Sequence, residues 1–194
     1  MSDRDWFESL FIKAADHFGK IHSKQFSDWE TGLIKRAVEG GLLKLDKDKI
    51  SVSTKKDSPY SMFTINREYF IQFAAFASLV YEYDYPPENC LIEYNDMDIM
   101  VEKNGKPFIC VETKVRDSEI DSLLKGINKC SNSVAPVPVN TRNDALQKAN
   151  YLIKHKPDFF WILSANKRLA FSVNYLGAGF SLSPVDDIPK YKKG

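Results

Sequence analysis

Cysteine is scarce in this sequence: Cys90, Cys110 and Cys130 are the only three, and they lie far apart. No CxxC pair or Cys/His cluster offers zinc-ligand spacing. An odd count at wide spacing is no disulfide scaffold either, so a reducing compartment is expected. Histidine is equally sparse. His17, His22 and His155 are scattered and read as structural or surface residues. Charge of one sign is missing as well: 27 Lys+Arg against 26 Asp+Glu leave a formal net charge of +1. That excludes a histone-like or polybasic coat protein, and it leaves any attraction to nucleic acid to a local patch. Long apolar runs are absent too. The longest, residues 70–81, is interrupted by Gln72 and Ser78 and falls short of the ~20 residues a membrane span needs. Asp3, Arg4, Asp5 and Glu8 stand where the apolar part of a secretory leader would lie. A cytoplasmic chain without membrane association is expected.

What is present is a core. A length of 194 residues with 43% hydrophobic and 13% aromatic content is too apolar for a disordered chain and suits one domain, or one domain with an appendage. Residues 1–62 read as that appendage. A helix over 3–18 carries Trp6, Phe7, Leu10, Phe11, Ala14 and Phe18 at helical spacing. Ser27 or Asp28 caps a second helix, which Gly40-Gly41 stops. A small hairpin follows over 42–52. This order is compatible with a winged helix and equally with an ordinary appendage.

Residues 63–176 read as an α/β core. Asn66 caps an apolar helix that runs to about Glu82, where Pro86-Pro87 prevents continuation. Strands follow over 90–94, 97–102 and 107–115, with Asn104-Gly105 as the hairpin turn between the last two. Asp117 or Ser118 caps a helix, 132–141 is a loop, and a helix over 144–155 leads to strands over 159–164 and 169–174. Residues 177–194 read as a fraying tail.

Alternation places the chemistry. Residues two apart on a strand share a face, so Glu112 and Lys114 point together, and Asp98 shares a face with Met100 and Glu102. A hairpin centred on Asn104-Gly105 brings Asp98 near Val111 and Glu112. Two carboxylates and a lysine then converge at one end of an apolar hairpin. The carboxylates are hard oxygen ligands suited to Mg²⁺ or Mn²⁺. The lysine can stabilise developing phosphorane charge or position an attacking water. Taken alone, the same three charges also fit a solvated edge strand. The apolar run Phe108-Ile109-Cys110-Val111 before Glu112 argues against that, because a strand buried on both faces rarely ends in charge without a reason.

These segments resemble the PD-(D/E)xK nuclease superfamily, and most of all the N-terminal nuclease domain of type I restriction enzyme R subunits. The likeness is carried by Tyr85-Pro86-Pro87-Glu88 with Leu91-Ile92-Glu93, Asp98-Ile99-Met100-Val101, Val111-Glu112-Thr113-Lys114, Gln147 with Tyr151, and Phe160-Trp161-Ile162-Leu163-Ser164-Ala165-Asn166. It covers about residues 66–173. It implies a restriction-endonuclease-like three-layer core, a mixed sheet flanked by helices. It also implies Mg²⁺- or Mn²⁺-dependent hydrolysis of phosphodiester bonds in nucleic acid, DNA foremost, in restriction, defence or DNA processing.

Residue by residue, the resemblance makes Asp98 and Glu112 the metal ligands, with the Thr113 carbonyl as a further ligand. Lys114 becomes the catalytic lysine, while Gln147 and Tyr151 support the site or touch the nucleic-acid backbone. Many relatives carry a helix glutamate before the first strand. Glu68 is the candidate and Glu82 its competitor, and Glu93 is a further option on the first strand. Met97 stands where the family motif has proline. Asp96 replaces Asp98 if the register slips. Arg142 and Lys148 are basic residues within reach of a phosphate near Gln147. No phosphate-binding Walker loop is present, Gly177-Ala178-Gly179 included, so a motor would have to come from a partner; a homodimer is also compatible. The competing reading is a nuclease-like module that binds nucleic acid or a partner without cutting.

Overall fold

The computed structural model describes residues 5, 26–46, 49–52, 62–64, 67–94, 97–131 and 144–192. Most of the helix expected over 3–18, the 132–141 loop, Asn66, Asp96 and Arg142 lie outside the described residues; Asp5 alone of that first helix is described, and it is helical. The chain divides into two compact units, Met1–Glu88 and Asn89–Gly194.

In the first unit, α1 (Asp28–Glu39) begins with a capping box. The Ser27 hydroxyl accepts from the Glu30 amide, and the Glu30 carboxylate accepts from the Ser27 amide at 2.8 Å. Ser27 is therefore the cap, and Asp28 is the first helical residue. The helix closes at Gly40, where an added Cβ would stand 2.6 Å from the Tyr81 hydroxyl. The strands β1 (Leu43–Asp46), β2 (Lys49–Val52) and β3 (Met62–Thr64) form an antiparallel sheet in that order, so the expected hairpin gains a third strand. Helix α2 (Arg67–Tyr81) is buried continuously from Phe70 to Leu79, Gln72 and Ser78 included, as an all-round apolar helix must be. Arg67 forks onto the fully buried Glu30 and ties α2 to α1.

The second unit is an α/β fold on a mixed six-stranded sheet. Its strands are β4 (Cys90–Tyr94), β5 (Met97–Lys103), β6 (Lys106–Thr113), β7 (Phe159–Leu163), β8 (Arg168–Leu176) and β9 (Gly179–Val185), and they lie in sequence order across the sheet. Every neighbouring pair is antiparallel except β6 and β7. That parallel pair needs a crossover, which α3 (Asp117–Cys130) and α4 (Asp144–His155) supply. Asn104 and Gly105 both take positive φ, 54° and 72°, as a two-residue hairpin turn of matching twist requires.

Helix α3 buries Ile120, Leu123 and Ile127, one stripe at helical spacing. This stripe packs with Ala149 and Leu152 of α4 and with Met100, Cys110, Phe160 and Ile162 of the sheet. The two helices approach so closely that a Cβ on Gly126 would stand 2.5 Å from Cβ of Ala145.

One expectation needs correction. The fraying tail expected over 177–194 is not found among its described residues: Gly179–Val185 pairs along β8 as an edge strand, and Ile188 beyond it is buried. Pro184 concealed this strand in the sequence. An edge strand bonds on one side only, so it accommodates a residue without an N–H.

Candidate active site

The expected convergence forms, and a β-bulge sets its register. Near the turn Lys103 pairs with Lys106; past a shift between Val101 and Glu102, Ile99 pairs with Val111. The extra residue brings Asp98 opposite Glu112, on the face that also carries Met100 and Cys110. Asp98 is fixed by Thr113, whose amide and hydroxyl both donate to its Oδ2 at 2.6 Å. Strand β6 ends there, and the Lys114 amide donates to the Leu163 carbonyl of β7 at 2.9 Å, which anchors the chain where it leaves the sheet.

Glu112 is only 1% exposed. Its Oε1 lies 2.7 Å from Lys114 Nζ, and its Oε2 lies 2.8 Å from Lys148 Nζ on α4. Asp144, one turn before Lys148, sits 3.1 Å from Lys114 Nζ and 3.9 Å from Lys148 Nζ. Three carboxylates and two ammonium groups thus form one cluster at the end of β6.

Burial, and next the Asp98 carboxylate, push the Glu112 carboxyl up to about 8, against the opposing pull of Lys148 and Lys114. Burial works against the charge on Lys114, but Glu112 and Asp144 outweigh it and raise its pKa. The same balance, with Glu112 foremost among the carboxylates, raises Lys148. Burial drives the Cys110 thiol far up, so this neighbour is an inert packing residue.

The other expected residues fall on other elements or in the first unit. Tyr151 belongs to the buried core cluster, and its ring stacks on His155 with centroids 4.2 Å apart. Gln147 is half-buried on α4. Glu68 is an exposed first-turn residue of α2 in the first unit. Glu82, in the same unit, accepts from the Ser78 hydroxyl and the Trp29 indole. Glu93 is exposed on β4, with a positive φ of 52°.

The α4 residue that reaches Glu112 is Lys148. The sequence pointed to it as a phosphate contact, not as a partner of Glu112, and it pointed to Asp144 only as a helix start. A signal was present. Lys148 lies on the stripe of Ala145, Ala149 and Leu152, where an apolar residue belongs and a charge needs a partner.

Asp98 and Glu112 fit a hard divalent cation in donor type and in number, since Mg²⁺ takes one or two carboxylates and keeps several waters. With all five groups ionised the cluster carries one net negative charge, which a cation would offset. Among the described residues no group of three or more His, Cys, Asp or Glu is placed to hold a metal, so further ligands would be water or backbone oxygen. No helix among the described residues is long and apolar enough to cross a membrane. No family model, curated protein or solved structure matches the chain.

Proposed function

We propose that the second unit is a restriction-endonuclease-like module that hydrolyses phosphodiester bonds of nucleic acid, with DNA as its substrate and Mg²⁺ or Mn²⁺ as its cofactor. One observation carries the reading: a buried carboxylate, Glu112, lies beside a second carboxylate and within 2.7 Å of Lys114. Asp98 and Glu112 would hold the metal, which supplies charge neutralisation at the phosphate and lowers the pKa of a bound water. Thr113 locks the Asp98 carboxylate through two donors. Lys114, steadied by Asp144, presents an ammonium group where negative charge develops on the phosphate.

The test is nicking of supercoiled plasmid with Mg²⁺ or Mn²⁺, comparing the wild type with Lys114→Met and Glu112→Gln. Both changes roughly preserve size. Each variant is expected to lose about 10²-fold or more in rate while keeping a native circular dichroism spectrum. Full activity in both folded variants refutes the assignment. A second reading has its own support, because both oxygens of Glu112 are already engaged by lysines. It is a non-cleaving nucleic-acid-binding module, and salt-sensitive binding without metal-dependent nicking would establish it.

A further inference from the structure

We propose that Lys148 is a built-in stand-in for the metal: a divalent cation enters by displacing its ammonium group from Glu112, and Asp144 receives the displaced group. The inference rests on the metal-dependent reading of the site.

Three features of the geometry support it. The Lys148 ammonium lies 2.8 Å from Glu112 Oε2, one of the two oxygens a cation would need. Asp144 Oδ1 is 3.9 Å from the same nitrogen, four residues back on the same helix, so the two side chains share a face. The burial gradient runs in the right direction: the Glu112 side chain is 1% exposed, Lys148 9% and Asp144 48%. An ammonium released from Glu112 therefore moves toward water and toward a carboxylate, by rotation of its own flexible stem and without a backbone change. A divalent ion outbids it at Glu112 because it carries twice the charge and accepts lone pairs directly. Lys148 stays an ammonium throughout. Lys114 keeps its place in the exchange, since Asp144 Oδ2 holds it from the other side at 3.1 Å.

The alternative role for Lys148 is permanent neutralisation of Glu112, and lysine accessibility separates the two. The intact chain would be labelled lightly by reductive methylation with and without Mg²⁺, and each lysine quantified by peptide mass spectrometry. Mn²⁺ binding would be followed in parallel by electron paramagnetic resonance. Exchange predicts that Lys148 labels several-fold faster with Mg²⁺ in the wild type and at an unchanged rate in Glu112→Gln. Removal of the competing charge in Lys148→Met should tighten Mn²⁺ binding by at least about tenfold. If the wild type binds Mn²⁺, Glu112→Gln does not, and Mg²⁺ leaves Lys148 labelling unchanged, the exchange alone is overturned. If Glu112→Gln binds Mn²⁺ as the wild type does, or neither binds it, the metal site falls together with the reading it belongs to.

Discussion

Glu112→Gln should change how stability depends on pH, because a carboxylate buried beside another carboxylate is costly to ionise. The pKa of Glu112 is about 8 in the folded chain against 4.5 as its ordinary value. A raised folded pKa means that the protonated form is favoured by folding. Its stabilising contribution is full below about 4.5 and is lost as pH rises toward about 8. The raised pKa values of Lys114 and Lys148 act elsewhere, since both lysines stay charged through this range. Between pH 5.5 and 8.5 the difference between 4.5 and about 8 sets a ceiling of about 3 kcal/mol. A third of that, about 1 kcal/mol, moves the midpoint of a domain of this size by roughly 2–4 °C. Thermal unfolding in chelator at pH 5.5 and pH 8.5 gives the measurement. The wild type should lose at least that much more than Glu112→Gln over the interval, because glutamine has no proton to lose. Groups away from the cluster, common to both proteins, cancel in the difference. Mg²⁺ at the higher pH should restore the wild type and leave the variant unchanged. Equal pH slopes in the two proteins would refute the reasoning, because the burial and like-charge pair that raise Glu112 would then be absent in solution.

The packing contacts give further predictions. Arg67→Met leaves Glu30 as a buried, uncompensated charge, and urea unfolding should show a loss of about 3–5 kcal/mol; a loss below 1 kcal/mol would mean that the pair is open to water. Gly126→Ala places a Cβ 2.5 Å from Cβ of Ala145. It should destabilise by about 1–3 kcal/mol despite alanine's better helix propensity, and Ala145→Gly should restore much of the loss.

The core hairpin was legible because two local signals agree on it. Alternation set the faces of β5 and β6, and Asn104-Gly105 demanded a tight turn, so the pairing of Asp98 with Glu112 followed to within one residue. The last residue of register was hidden in the bulge at Val101 and Glu102, which depends on how two strands twist together and leaves no mark in composition. Strand β9 was hidden for a different reason: its glycine and proline carry turn propensity, and only pairing with β8 overrides it. Lys148 escaped because helical spacing marks which side chains share a stripe but not what a buried charge on that stripe will meet. Its partner is 36 positions away and was brought near by the parallel crossover.

The near-neutral charge balance of the chain takes on a different meaning once the cluster is resolved. A net charge of +1 over the whole sequence is no guide to a site where Asp98, Glu112 and Asp144 face only Lys114 and Lys148. With all five ionised, that locality is net negative and would repel a phosphate. One bound divalent cation reverses its sign. Attraction to nucleic acid at this end of the sheet would then be conditional on metal, with Lys114, held by Asp144, facing the phosphate. Under the proposed reading such a chain would need no basic coat. Its affinity would be concentrated where the chemistry occurs, and without metal the cluster would offer a polyanion nothing to hold.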